Sequence, residues 1–170
     1  HTLELQNGIT QQVIFEDLNI THSSGSARTI FVSSVDASGS VKFINCNISH
    51  TSGTISAYVL NQVNCHAGYW TAERCIFDGN NTADAVVFTN HTTAGSIRFD
   101  NCMFKNHTTG GHGLELTSAT ANEVIELNYC NFHNNDQGLD IDCAAIVRNC
   151  IFTNNVDDLD DTGVNFDESD

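Results

Sequence analysis

Thiols, imidazoles and carboxylates are the groups in this chain that could do chemistry: seven Cys, eight His and 21 Asp+Glu among 170 residues. Five thiols, Cys46, Cys75, Cys102, Cys130 and Cys150, recur at long intervals, each followed two residues on by Phe or Ile. No short C-x-x-C pair exists, so zinc or iron–sulfur ligation is disfavoured. At the equivalent earlier place stands Leu18. A Leu there marks the slot as interior, and the expectation is a ladder of buried free thiols packing as small hydrophobes. Disulfides between successive thiols would fit the Cα distance window but need particular torsions. Cys65 and Cys143 fall outside the series. They read either as buried turn residues or as thiols that link one molecule to another.

The acidic groups gather at the C-terminal end, where residues 157–170 hold seven of the 21. Asp158-Leu159-Asp160-Asp161-Thr162-Gly163 is similar to the opening of a D-x-D-x-[DST]-G calcium loop, with Asp158, Asp160 and Thr162 as ligands for Ca²⁺. Ser169 stands where an EF-hand would close with Glu, so the alternative is a solvated acidic turn. His22 and His50 occupy equivalent turn positions and are expected to stack as polar groups rather than bind metal. No two carboxylates stand out on one face at the separation that glycoside hydrolysis needs. Sequons at Asn19, Asn47, Asn80, Asn90 and Asn106 fall at outward or turn positions, where a glycan could be attached.

Six Lys+Arg against 21 Asp+Glu give a net charge of −15. Phosphate backbones need a basic stripe and anionic lipid a basic patch, so neither nucleic acid nor a membrane surface is an expected partner. No apolar run approaches the length of a bilayer span. The chain opens at His1 without a basic-then-apolar leader, as expected of a mature chain or an excised piece.

What must position these groups is a repeat. The pattern apolar-x-apolar-x-x-(Cys/Leu)-x-(Phe/Ile) returns six times. Its copies are Val13/Phe15/Leu18/Ile20, Val41/Phe43/Cys46/Ile48, Trp70/Ala72/Cys75/Phe77, Ile97/Phe99/Cys102/Phe104, Ile125/Leu127/Cys130/Phe132 and Ala145/Val147/Cys150/Phe152. Three-residue strands alternate with it: Leu3–Leu5, Ile30–Val32, Tyr58–Leu60, Val86–Phe88, Leu114–Leu116, Leu139–Ile141 and Val164–Phe166. Period-two alternation means short strands with one buried face. The two-residue spacer before each Cys predicts a bend, and clusters such as Asp78-Gly79-Asn80-Asn81 predict turns. One residue type recurring at one long period predicts stacking about 4.8 Å apart in a parallel solenoid. The expected fold is all-β: a single right-handed parallel β-helix of about six coils with a 25–28-residue period. It should span residues 1–156, with 157–170 an acidic turn and final strand or tail.

Asn101-Cys102-Met103-Phe104-Lys105-Asn106, Cys130-Asn131-Phe132-His133-Asn134-Asn135 and Asn149-Cys150-Ile151-Phe152-Thr153-Asn154-Asn155 resemble the F-x-x-N and F-x-N-N turns of pectate-lyase-like right-handed β-helix repeats. Similar repeats occur in polymorphic outer-membrane proteins and other surface proteins. The resemblance implies a fold, not an activity. Gly111-His112-Gly113 matches a polygalacturonase motif, but the Asn-Thr-Asp and Arg-Ile-Lys segments of that family are absent, and Asp157-Asp158 follows the motif rather than preceding it.

No amphipathic capping helix is evident in the sequence, and bare solenoid ends offer unpaired backbone groups over an apolar core. Phe31, Val59 and Val87, the outward middle residues of neighbouring strands, form a candidate self-assembly patch. These features predict an extracellular or cell-surface structural protein that needs no catalytic residues. Its expected partner is itself, in a filament or surface layer. An adhesin whose polar turns contact glycans is the first alternative; a carbohydrate-active enzyme fragment is the second.

Overall fold

The computed structural model describes residues 2–6, 8–23, 28–33, 35–36, 38–51, 58–63, 69–81, 84–89, 96–108, 110–116, 124–142 and 145–161. Among them there is no helix, and so none long and apolar enough to cross a membrane. Three parallel sheets enclose one interior. The first holds Leu3–Leu5, Ile30–Val32, Tyr58–Val63, Asp84–Thr89, His112–Leu116, Gln137–Ile141 and Asp157–Asp161. The second holds Gln12–Glu16, Ser40–Ile44, Tyr69–Glu73, Ser96–Asp100, Val124–Asn128 and Ala145–Arg148. The third holds Asn19–His22, Asn47–His50, Ile76–Asp78, Met103–Lys105, Asn131–His133 and Ile151–Thr153. This is an all-β parallel solenoid, as the spacing predicts.

Its period is close to 28 residues: Val13 pairs with Val41, and Ile97 with Ile125. The expectation of about six coils of 25–28 residues is corrected at the last step. There Ile125 pairs with Ala145, Phe132 with Phe152 and Leu139 with Leu159, each 20 residues on, so the chain is not six coils of that period. The shortening lies in the connections: 134–136 and 142–144 replace the longer 106–111 and 117–123 of the step before. The rung expected at Val164–Phe166 lies outside the described residues. Asp157–Asp161, read from sequence as an acidic turn, forms the last described strand of the first sheet.

The inward positions are those of the repeat. Down the second sheet run Val13, Val41, Trp70, Ile97, Ile125 and Ala145, and beside them Phe15, Phe43, Ala72, Phe99, Leu127 and Val147. Down the third run Ile20, Ile48, Phe77, Phe104, Phe132 and Phe152. The last three of these rings stack face to face with centroids 4.9 and 4.8 Å apart. Each buried side chain contributes about 1.5–3 kcal/mol by leaving water, and each ring pair about 0.5–1.5 more. Trp70 is fully buried, its ring set edge-on to Phe88 at 82°.

The bend between second and third sheets is made by one residue per coil in the left-handed region: Asp17, Asn45, Arg74, Asn101, Tyr129 and Asn149, all with φ of 52–56°. Asn and Asp tolerate that region, which explains their dominance there. At the next corner, between third and first sheets, Asn106, Asn134 and Asn154 do the same. Asn135 is buried beside them and donates to the Phe104 carbonyl, while its own Oδ1 accepts the His107 N–H.

Candidate functional site

The five repeated cysteines do form one column. Successive backbone N–H groups beyond each Cys donate to the carbonyl one coil earlier, from Asn47 to Leu18 and on through Ile76–Cys46, Met103–Cys75, Asn131–Cys102 and Ile151–Cys130. All five are free thiols; Cys46, Cys75, Cys102 and Cys130 are buried and Cys150 half-buried. Leu18, the equivalent residue of the first coil, is 41% exposed, between two strands that are edges of their sheets among the described residues. The Cys102 Sγ–H faces the carbonyls of Ala72 and Asp100, each 3.5 Å away. Burial pushes the Cys102 thiol well up and the Cys46 thiol up. Hydrogen bonds from the Cys102 and Cys150 thiols hold Cys130 below its ordinary value.

A groove of about 540 Å³ runs along this column, with Cys75, Cys102 and Cys130 in its lining. One bank carries the bend residues Arg74, Asn101, Tyr129 and Asn149; the other carries Ile76, Met103, Asn131 and Ile151. Tyr129 is 65% exposed on the rim, and Tyr69, on the second sheet, lines a separate hollow with Lys42 and Thr71. Sequence reasoning missed both tyrosines. The available signal was their place: Tyr129 is a bend residue, and Tyr69 immediately precedes an inward Trp.

The edge of the first coil is apolar and open. Leu3, Phe15, Leu18 and Ile20 line a hollow of about 420 Å³, bordered by the edge strands of all three sheets.

The outward rows differ in charge. On the second sheet Lys42 pairs with Glu73 at 2.6 Å and Arg98 with Glu126 at 3.5 Å, joining successive coils. On the first sheet Glu115, Asp140 and Asp160 stack in register. His112 Nδ1 lies 3.1 Å from Asp140 and 3.8 Å from Glu115. Burial, with repulsion from neighbouring carboxylates, pushes both Glu115 and Asp140 up, against the pull of His112. The outward middle positions of Leu114–Leu116 and Leu139–Ile141 already place Glu115 and Asp140 in one row; the register adds Asp160 to it. Gly113 of the Gly-His-Gly segment has a packing reason: a Cβ there would meet the Gly138 carbonyl at 2.5 Å.

The proposed assembly patch is corrected. Ile30 pairs with Leu60, so Phe31 faces Asn61 and Asn61 faces Val87; Val59 is not in that row. A two-residue slip keeps the same face inward, so alternation alone does not fix this register. Val87 is also buried, and Arg28 lies over the Phe31 ring at 4.5 Å.

The suggested calcium ligands Asp158 and Asp160 lie on an extended strand rather than in a loop. Asp158 accepts from Asn155 and Asp160 from Gln137; Thr162 lies outside the described residues. Among the described residues no group of three or more His, Cys, Asp or Glu is placed to hold a metal ion. His22 and His50 stack, centroids 5.3 Å apart, but His50 is buried rather than on the surface. Of the sequons, Asn19 and Asn47 are exposed and stacked in register, and Asn80 is exposed. Asn106 donates to Asp78 and accepts from Asn134. Asn90, Cys65 and Cys143 lie outside the described residues.

Comparison with protein-family models, with curated proteins and with solved structures finds no match.

Proposed function

We propose that this chain is a structural module of an extracellular or cell-surface assembly, joined to further copies by stacking coil on coil. The observation that carries the reading is the register: each coil of the three parallel sheets sets its residues directly over those of the coil before, so a further coil would add the same contacts again. In this reading the hollow lined by Leu3, Phe15, Leu18 and Ile20, beside edge strands of the three sheets, is the face on which that coil seats. Another coil seated on that face would extend the columns at the same spacing of about 4.8 Å. In this reading the solenoid winds right-handed, following the crossover preference of parallel strands, and belongs among the pectate-lyase-like β-helices that its Asn-rich turns resemble. No catalytic step is required of it.

The test is assembly itself. Negative-stain microscopy and sedimentation of the purified chain should show end-to-end oligomers or fibres, and Leu18→Lys should return it to monomer with unchanged circular dichroism. A parent chain that stays monomeric at every concentration, with and without reductant, overturns the reading.

Two exposed tyrosines favour a second reading, a glycan-binding module. Tyr69 and Tyr129 present aromatic faces beside polar groups in shallow hollows, the arrangement that sugar rings stack on. Glycan binding that is lost in Tyr69→Ala or Tyr129→Ala, from a chain that does not polymerise, would select it.

A further inference from the structure

The thiol column has more order than packing requires. Small hydrophobes of several kinds would fill an interior slot, yet five successive coils carry Cys. The buried column floors a groove whose lining includes three of the thiols and the thioether-bearing Met103. Each thiol also stands one coil from the next, from Cys46 to Cys75, Cys102, Cys130 and Cys150.

We propose that this column binds soft monovalent d¹⁰ cations of the copper(I) class, each held linearly between the sulfurs of two successive coils.

Spacing is the first argument. Neighbouring coils stand about 4.8 Å apart. A metal–thiolate bond is about 2.3 Å, so two of them end to end span about 4.6 Å. A two-coordinate ion therefore fits between successive sulfurs without moving the backbone. Zinc, which needs four ligands converging on one point, does not fit, in keeping with the absence of any three-ligand cluster among the described residues. Softness is the second argument. Thiolate and thioether donors select Cu(I) over harder ions, and the column offers sulfur alone.

Electrostatics is the third. The sulfurs face main-chain carbonyl oxygens, such as Ala72 and Asp100 for Cys102 and Phe99 for Cys130. Those oxygens turn the negative ends of their dipoles toward the column, which suits a positive occupant beside the sulfurs: a thiol proton or a metal ion. Binding exchanges one for the other. Two S–H bonds break, two protons leave to solvent, and two metal–sulfur bonds form around one cation. No electron changes hands.

A row of five sites filled pairwise gives a parity rule. Five thiols in line make two separate neighbouring pairs. Removing Cys75 strands Cys46, and removing Cys130 strands Cys150, so each loss leaves room for one ion. Removing Cys46, Cys102 or Cys150 still leaves two pairs. The experiment is an anaerobic titration of the full chain with Ag(I), the redox-inert probe of this class, in a C65S/C143S background that silences the other two thiols. Bound silver is read by native mass spectrometry and by the sulfur-to-metal ultraviolet band. Two Ag(I) are expected in that background and in Cys46→Ala, Cys102→Ala and Cys150→Ala; one is expected in Cys75→Ala and Cys130→Ala. X-ray absorption on the background protein, which needs no column variant to fold, should show two sulfur neighbours at silver and no nitrogen or oxygen. No uptake by the folded chain, a loss that is the same whichever Cys is removed, or silver with three sulfurs would overturn the proposal.

Discussion

The third sheet and the first sheet stack their residues with the same geometry, to opposite effect. On the third sheet the inward column is a near-continuous row of Phe rings, and outside it Asp78 stands in register with Lys105, 3.2 Å from its ammonium. On the first sheet the inward column is a mixture of Leu, Ile and Val, and the outward row places Glu115, Asp140 and Asp160 one above another. Parallel in-register stacking repeats whatever is put into it. Rings, amides and thiols gain from meeting their own kind; carboxylates do not. The third sheet is thus the spine of the solenoid, and the first is where stability is given up.

The largest test of that contrast is Phe104→Ala. Phe104 is fully buried and stacks on Phe77 and Phe132 at once, so the substitution empties the middle of the column. A loss of about 3–5 kcal/mol is expected in chemical denaturation. Phe152→Ala, at the half-buried last rung, should cost clearly less. Equal losses at the two positions would mean that the column does not act as a spine.

Next in size is the corner that joins the two sheets. Asn135→Ala leaves the Phe104 carbonyl and the His107 N–H without their side-chain partner inside the protein. Each such orphaned group costs about 1–3 kcal/mol, and Asn135→Asp should not recover the loss, because a carboxylate cannot donate to the carbonyl. Hydrogen exchange should speed up at His107 before it does in the Phe column; a uniform change along the chain would argue against a local corner effect.

Much of this was readable in the residues. All 24 positions of the repeat fall on the predicted columns, because a Cys followed two residues on by Phe or Ile, returning coil after coil, leaves a single way to stack. The bend was visible as the extra spacer residue before each Cys, and the αL geometry there follows from the Asn and Asp that fill most of it. What failed to read were features that alternation cannot encode. A strand taken as Tyr58-Val59-Leu60 and one taken as Leu60-Asn61-Gln62 differ by two residues, which alternation does not distinguish, so only the pairing decides which residue stands beside Phe31. The repeat copies at Cys130 and Cys150 already stand 20 residues apart, but the matching rung of the first sheet was hidden, because Leu159 looks like one more acidic-turn residue among Asp157–Asp161, while Val164-Asn165-Phe166 looks like a strand. The groove over the thiols and its Tyr129 rim arise from a corner between sheets, which no strand pattern describes.

The smallest effects carry the sharpest sign. Burial raises the Asp78 carboxyl, but hydrogen bonds from Asn106, the Asn80 N–H and Lys105 outweigh it and hold it below the ordinary carboxylate value. Its stabilising contribution is therefore present at neutral pH and is lost as pH falls through the folded value. Asp140 is the reverse. Burial and the charges of Asp142 and Asp160 raise it despite His112, so its contribution is favourable only in acid and disappears as pH rises through the raised value. At pH 7 Asp78→Asn should cost, and Asp140→Asn should gain, about 0.2–1 kcal/mol each, the range for unlike and like charges facing across strands. Thermal melts of both variants against the parent between pH 3 and 8 check this. The two differences should have opposite signs at neutral pH and shrink together in acid, where both carboxyls carry protons. If Asp140→Asn destabilises at pH 7 as Asp78→Asn does, the contact with His112 outweighs the repulsion in the row, and the first sheet gains from its polar row as the third sheet does.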